Sequence, residues 1–100
     1  MTAALTSVQG LLSVSSFVIY PNPFRQNATL EYILTQEESI SIRLLDLQGK
    51  TVKTFLKNTK RSAGSHQQAI TLPASLSAGS YLIVIESPKG RMAVKVSMSD

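Results

Sequence analysis

The 100-residue sequence has no cysteine, no tryptophan, one histidine and few aromatic residues of any kind. Without cysteine there is neither a disulfide framework nor a thiolate metal site, so stability has to come from burial and backbone pairing. The single histidine, His66, leaves no room for an imidazole cluster, and the spacings that hold metals or cradle phosphates are absent. Long apolar runs are missing too. The opening MTAALTSVQGLLSVSSF has neither a basic first region nor an extended apolar core, so it reads neither as a signal peptide nor as a membrane span. Residues 1–14 are read as a linker remnant and residues 15–100 as one domain, whose export signal, if it is exported, lies outside this chain.

What is present suits a small globular fold. An apolar content of 43% and 16% charged residues support one packed core, away from the weakly apolar, highly charged class that stays disordered. The formal net charge of +4 arises from ten Lys and Arg against six acids. Most of these cations are interspersed along candidate strands, and only Lys57, Lys60 and Arg61 cluster. A solvated sheet face explains them better than a nucleic-acid interface, and no membrane insertion is expected.

Period-2 alternation runs through nearly the whole chain, the mark of half-buried strands. Phe17 and Ile19 alternate with Val18 and Tyr20, and Pro21-Asn22-Pro23 closes that strand because proline cannot donate to a ladder. Leu30, Tyr32 and Leu34 face away from Thr29, Glu31 and Ile33, with Gln36-Glu37-Glu38 read as a solvated connection. Ile40, Ile42 and Leu44 alternate cleanly with Ser39, Ser41 and Arg43. A turn at Asp46 to Gly49 leads to an imperfect strand over Lys50 to Leu56, where a bulge or an edge position is expected. Residues 57–64 read as polar connection, Ser65 to Leu72 as the next strand and Pro73 to Gly79 as a loop. Tyr81 to Ile85 is the most buried-looking run, and Met92, Val94, Val96 and Met98 mark a last alternating strand after the Pro88-Lys89-Gly90 turn.

About seven short strands separated by turn chemistry predict an all-β, immunoglobulin-like antiparallel β-sandwich. Tyr81, just after a tight turn at the start of the penultimate strand, stands where a tyrosine corner is expected.

Four motifs then carry a resemblance: Tyr20-Pro21-Asn22-Pro23-Phe24, Leu45-Asp46-Leu47-Gln48-Gly49-Lys50, Ser62-Ala63-Gly64-Ser65-His66 and Leu76-Ser77-Ala78-Gly79-Ser80-Tyr81. Their order and spacing resemble the C-terminal sorting domains, type A, of the type IX (Por) secretion system of Bacteroidota. Each motif also has a structural reading: the prolines fix a corner, the glycines supply turns, and Gly79 bends the chain before Tyr81 enters the core.

The resemblance implies a non-catalytic secretion signal. An upstream cargo would cross the periplasm in transit, and its sorting domain would be recognised by the outer-membrane type IX translocon. A cysteine-protease-like sortase can then remove the domain, leaving the cargo on the cell surface or secreted. The family's recognition lies chiefly in the last strand, here Met92, Val94, Lys95, Val96 and Met98. The chain departs from the lysine-rich apolar tail common in the family by ending Ser97-Met98-Ser99-Asp100.

Other classes remain open. Met92, Val94, Val96 and Met98 can equally be core residues. An immunoglobulin-like accessory module contacting glycan or protein, or a structural domain related to the flagellar hook cap, would show a similar strand pattern. Few spare aromatics are left for a glycan platform. An enzyme is not expected: His66 with Asp46 and a serine would be needed for a triad, no G-x-S-x-G elbow exists, and no cofactor is implied.

Overall fold

The alternation seen in the sequence becomes two sheets packed face to face. The computed structural model describes residues 7–10, 14–23, 25–72 and 75–99, and these form eight strands and no helix. They are β1 (Ser7–Gly10), β2 (Val14–Tyr20), β3 (Asn27–Leu34), β4 (Glu38–Leu45), β5 (Thr51–Arg61), β6 (Gly64–Thr71), β7 (Gly79–Ser87) and β8 (Gly90–Met98). One sheet has the order β1-β8-β7-β4-β5 and the other β2-β3-β6, with every pairing antiparallel. The fold is the immunoglobulin-like sandwich that the alternation predicts.

Between the sheets lies one core. Phe17 and Ile19 of β2, Leu30, Tyr32 and Leu34 of β3 and Ile70 of β6 meet Ile40, Ile42 and Leu44 of β4, Ile83 and Ile85 of β7 and Val94 and Val96 of β8. Each fully buried side chain of this size contributes about 1.5–3 kcal/mol of apolar transfer. The opposite face of the larger sheet carries a second, smaller apolar group of Leu45, Val84 and Ala93. Val84 therefore belongs to the outer layer, which is why β7 reads as a continuous apolar run and not as an alternating one.

Three expectations need correction. β5 does not stop at Leu56 but runs to Arg61, so the polar stretch from Lys57 is strand and not connection. It survives without apolar alternation because it is the sheet's edge, where one ladder and a solvated face suffice. Glu38 is not in a solvated loop: it opens β4 with 7% of its surface exposed, taking the Lys89 ammonium at 3.4 Å and the Gln36 amide at 3.2 Å on the same carboxylate oxygen. A run of polar residues signals a turn, but a buried carboxylate is tolerated once a cation and hydrogen bonds reach it. Finally, Ser7–Gly10, within the segment read as linker, adds an edge strand to β8.

The expected irregularity in β5 is present. Thr59 pairs with Ile40 and Leu56 with Ile42, so Lys57 and Asn58 together oppose Ser41. Asn58 takes φ 44°, and its backbone N–H, lost to the ladder, donates to the Ser41 hydroxyl at 3.0 Å. Asparagine tolerates that conformation better than most residues, and the bulge turns this lysine-bearing edge away from straightforward pairing.

Candidate functional site

The strand registers place the sequence motifs at the two ends of the sandwich. Tyr20 pairs with Thr29, Asn27 with Thr71, Leu45 with Leu82 and Gly79 with Met98. The corner after β2, the turn after β4, the loop before β7 and the end of β8 therefore share one end. Two contacts join the sheets there: Ser97 N–H to Asn22 Oδ1 at 2.9 Å, and Lys53 Nζ to the Thr71 carbonyl at 2.6 Å. Three of the four motifs thus converge on the end of the last strand. Only Gly64 and His66 lie at the opposite end, beside Leu34 and Tyr32.

Each converging motif holds a turn through side chain to backbone bonds. In the corner, the peptides Tyr20-Pro21 and Asn22-Pro23 are both cis, and Asn22 accepts its bond from a residue 75 positions away. Tyr20 lies at the end of β2, where a hydrogen bond to the neighbouring Glu31 carboxylate, then desolvation and repulsion from the same carboxylate, raise its phenol pKa. Phe24 lies outside the described residues, as does Asp100.

In the turn after β4, Asp46 Oδ1 accepts the backbone N–H groups of Gln48 and Lys50, both at 2.9 Å, while the Asp46 carbonyl accepts from Gly49 at 3.0 Å. Gly49 sits at φ 89° with open space around it, so the requirement for glycine is conformational and not steric. The aspartate and the glycine three residues after it are two halves of one turn. Its tip, Leu47, is 61% exposed.

The expected tyrosine corner is present. Tyr81 is buried and its hydroxyl donates to the Ser77 carbonyl at 2.6 Å, tying the loop to the first turn of β7, with Gly79 between them at φ 148°. Among the described residues this end is basic: Arg25, Lys50, Lys53 and Lys95 are exposed, whereas the carboxylate of Asp46 is turned onto backbone donors.

At the other end Gly64 (φ 123°) begins β6, and the His66 ring stacks on Tyr32 with centroids 5.3 Å apart. His66 Nε2–H donates to the Ser62 carbonyl at 2.8 Å. Burial raises the Tyr32 phenol pKa above its ordinary value, and the nearby Arg61 guanidinium opposes that shift. Asp46 and His66 are held at opposite ends of the sandwich, so the residues of the weighed triad are not brought together. Among the described residues no group of three or more His, Cys, Asp or Glu is placed to hold a metal ion.

The side chains of Met92, Val94, Val96 and Met98 all point into the core. Lys95, between them, is exposed on the outer face. The apolar face of the last strand is thus committed to the sandwich. The sequence gives Ser77 and Ser97 no role of their own, because both act through backbone groups at contacts that no local pattern announces.

A family model described as a secretion system C-terminal sorting domain matches residues 18–99. No curated protein matches the chain.

Proposed function

Since the chain belongs to the family of type IX secretion system C-terminal sorting domains, we propose that it is read by the outer-membrane type IX translocon as the address of an upstream cargo, at the end of the sandwich where its motifs converge. As a sorting signal of that system it implies export to the cell surface or secretion. Passage through the periplasm and removal by a cysteine-protease-like sortase complete the proposed route.

The observation that carries this reading is the convergence of Tyr20 to Pro23, Asp46 to Gly49, Ser77 to Tyr81 and the end of β8 on one surface, bridged by the bond from Ser97 to Asn22. Structural roles account for these residue types one by one. Their placement around a single strand end gives a translocon one surface to read. The domain acts here as substrate, by shape and backbone presentation, with no covalent step of its own.

The test is a fluorescent reporter fused ahead of residues 15–100 and given an inner-membrane export signal, expressed in a type IX-competent bacterium and in its translocon-null mutant. Release from the first strain alone is the expected result. Retention of a folded fusion in the periplasm of both strains would overturn the reading. Truncating the last strand is a poor substitute, because removing Val94 and Val96 takes two fully buried side chains out of the core and costs folding along with any signal.

A further inference from the structure

Charge is divided unevenly between the two ends of the sandwich. The ion pairs of the described residues, Arg43 with Glu86, Lys60 with Glu37 and Lys89 with Glu38, all use carboxylates placed where β4 begins and β7 finishes. At the motif end the exposed cations Arg25, Lys50 and Lys95 have no ion-pair partner among the described residues. Lys53 is turned onto the Thr71 carbonyl and the Phe55 ring. Asp46 is turned onto backbone donors, and Glu31, farther along β3, takes the Gln67 amide. The motif end therefore carries a positive field that these acids do not balance.

The same end presents an apolar side chain. Leu47 is 61% exposed at the tip of the turn after β4, whereas the other exposed large apolar residue, Ile33, lies near the opposite end of the smaller sheet. The turn itself does not call for leucine. Asp46 supplies the acceptors and Gly49 the positive φ, and four hydrogen bonds within residues 46–50 close the loop without any group of the Leu47 side chain. A polar residue would serve there without exposing apolar surface. A loop tied in this way also holds its tip in place, so an apolar side chain on it docks at little cost in ordering. Lys50 closes the turn, Lys95 shares a cross-strand row with Leu82 and Leu45, the residue that enters the turn, and Arg25 stands beyond the corner of the other sheet.

We infer that Leu47 is an apolar anchor that seats in a pocket of a partner protein whose rim carries carboxylates facing the cations of this end. This rests on the reading of the motif end as the address, and it adds the chemistry of the surface that reads it: an apolar centre inside an oppositely charged rim. A bilayer is the poorer fit, because one leucine offers it little apolar area, while a protein pocket buries a single side chain completely.

The test fuses the fluorescent reporter ahead of the full chain and measures release from the type IX-competent strain beside the urea midpoint of each variant. Leu47→Gln removes the apolar tip and leaves all four bonds of the turn, and it is expected to lower release roughly tenfold at an unchanged midpoint. Leu47→Met should restore most of the release. Lys50→Glu with Lys95→Glu is expected to lower it several-fold, again at an unchanged midpoint, and Ile33→Gln should behave as the parent. Full release by Leu47→Gln, an equal loss from Ile33→Gln, or a midpoint that falls together with release overturns the anchor. Full release by the double charge reversal overturns the acidic rim. Flotation of the full chain with vesicles of phosphatidylcholine and phosphatidylglycerol should show no binding that depends on Leu47. Such binding would assign the tip to a lipid surface and overturn the protein pocket. An unaltered fusion that is never released overturns the sorting reading and this inference with it, whereas release that ignores Leu47 overturns this inference alone.

Discussion

At the scale of single residues, the structure turns motif letters into bonds whose loss has a predictable cost. Tyr81→Phe removes the donor to the Ser77 carbonyl and is expected to cost about 1–3 kcal/mol in urea unfolding. Tyr81→Ala adds a cavity and is expected to cost roughly 3–5 kcal/mol. A phenylalanine variant as stable as the parent would remove the tyrosine corner from the account. Tyr32 gives a pH dependence of definite sign. Burial raises its folded pKa above the ordinary 10.0, with Arg61 opposing. The folded state therefore holds the proton more tightly than the unfolded chain does. The contribution is complete below the ordinary value and is lost as pH rises through the folded one. Urea midpoints followed from about pH 9 upward should fall more steeply for the parent than for Tyr32→Phe.

At the scale of elements, the turn after β4 and the end of β8 make separate predictions. Asp46→Ala leaves two backbone donors without their acceptor and is expected to destabilise by about 1–2 kcal/mol, whereas Asp46→Asn, which keeps one acceptor oxygen, should recover part of that loss. Asn22→Ala should speed hydrogen exchange at the Ser97 amide while leaving core amides such as Ile83 protected, because it frees one edge donor without touching the ladder to β7. Equal acceleration throughout the sheet would mean that Asn22 serves global stability and not the strand end.

Elements with strict alternation, such as β4 with Ile40, Ile42 and Leu44 inward, were legible from the sequence because one buried face leaves a period of two. β5 was cut short in the reading because an edge strand buries too little to show a pattern, and the Asn58 bulge breaks what alternation it has. Glu38 was misread for the opposite reason: its ion-pair partner, Lys89, lies on a distant turn. The candidate site was legible as three of the four motifs, the fourth lying at the other end of the sandwich. Their convergence was not, since the bond from Asn22 to Ser97 depends on how the two sheets close.

At the scale of the whole molecule, β3 pairs with β6, β4 with β7 and β1 with β8 across intervening strands, so the sandwich should fold slowly, in the range of roughly milliseconds to seconds. Ile83, fully buried at the middle of β7, probes the link between stability and sorting. Ile83→Ala is expected to cost about 2–5 kcal/mol, a large share of the roughly 5–15 kcal/mol that holds a domain together. If the translocon reads a folded surface, reporter release should fall in step with the unfolded fraction of such variants. Release that ignores folding would point to a linear peptide signal.

The placement of β8 also bears on synthesis. Met92, Val94, Val96 and Met98 come from the last strand in the sequence, yet they occupy the centre of the core next to β7. A ribosome that stalls or stops before this strand releases a chain whose larger sheet is open and whose motif surface has no strand to gather around. If that surface is the address, it becomes readable only after every upstream residue of the cargo has been translated, and an incomplete cargo leaves the ribosome without a destination.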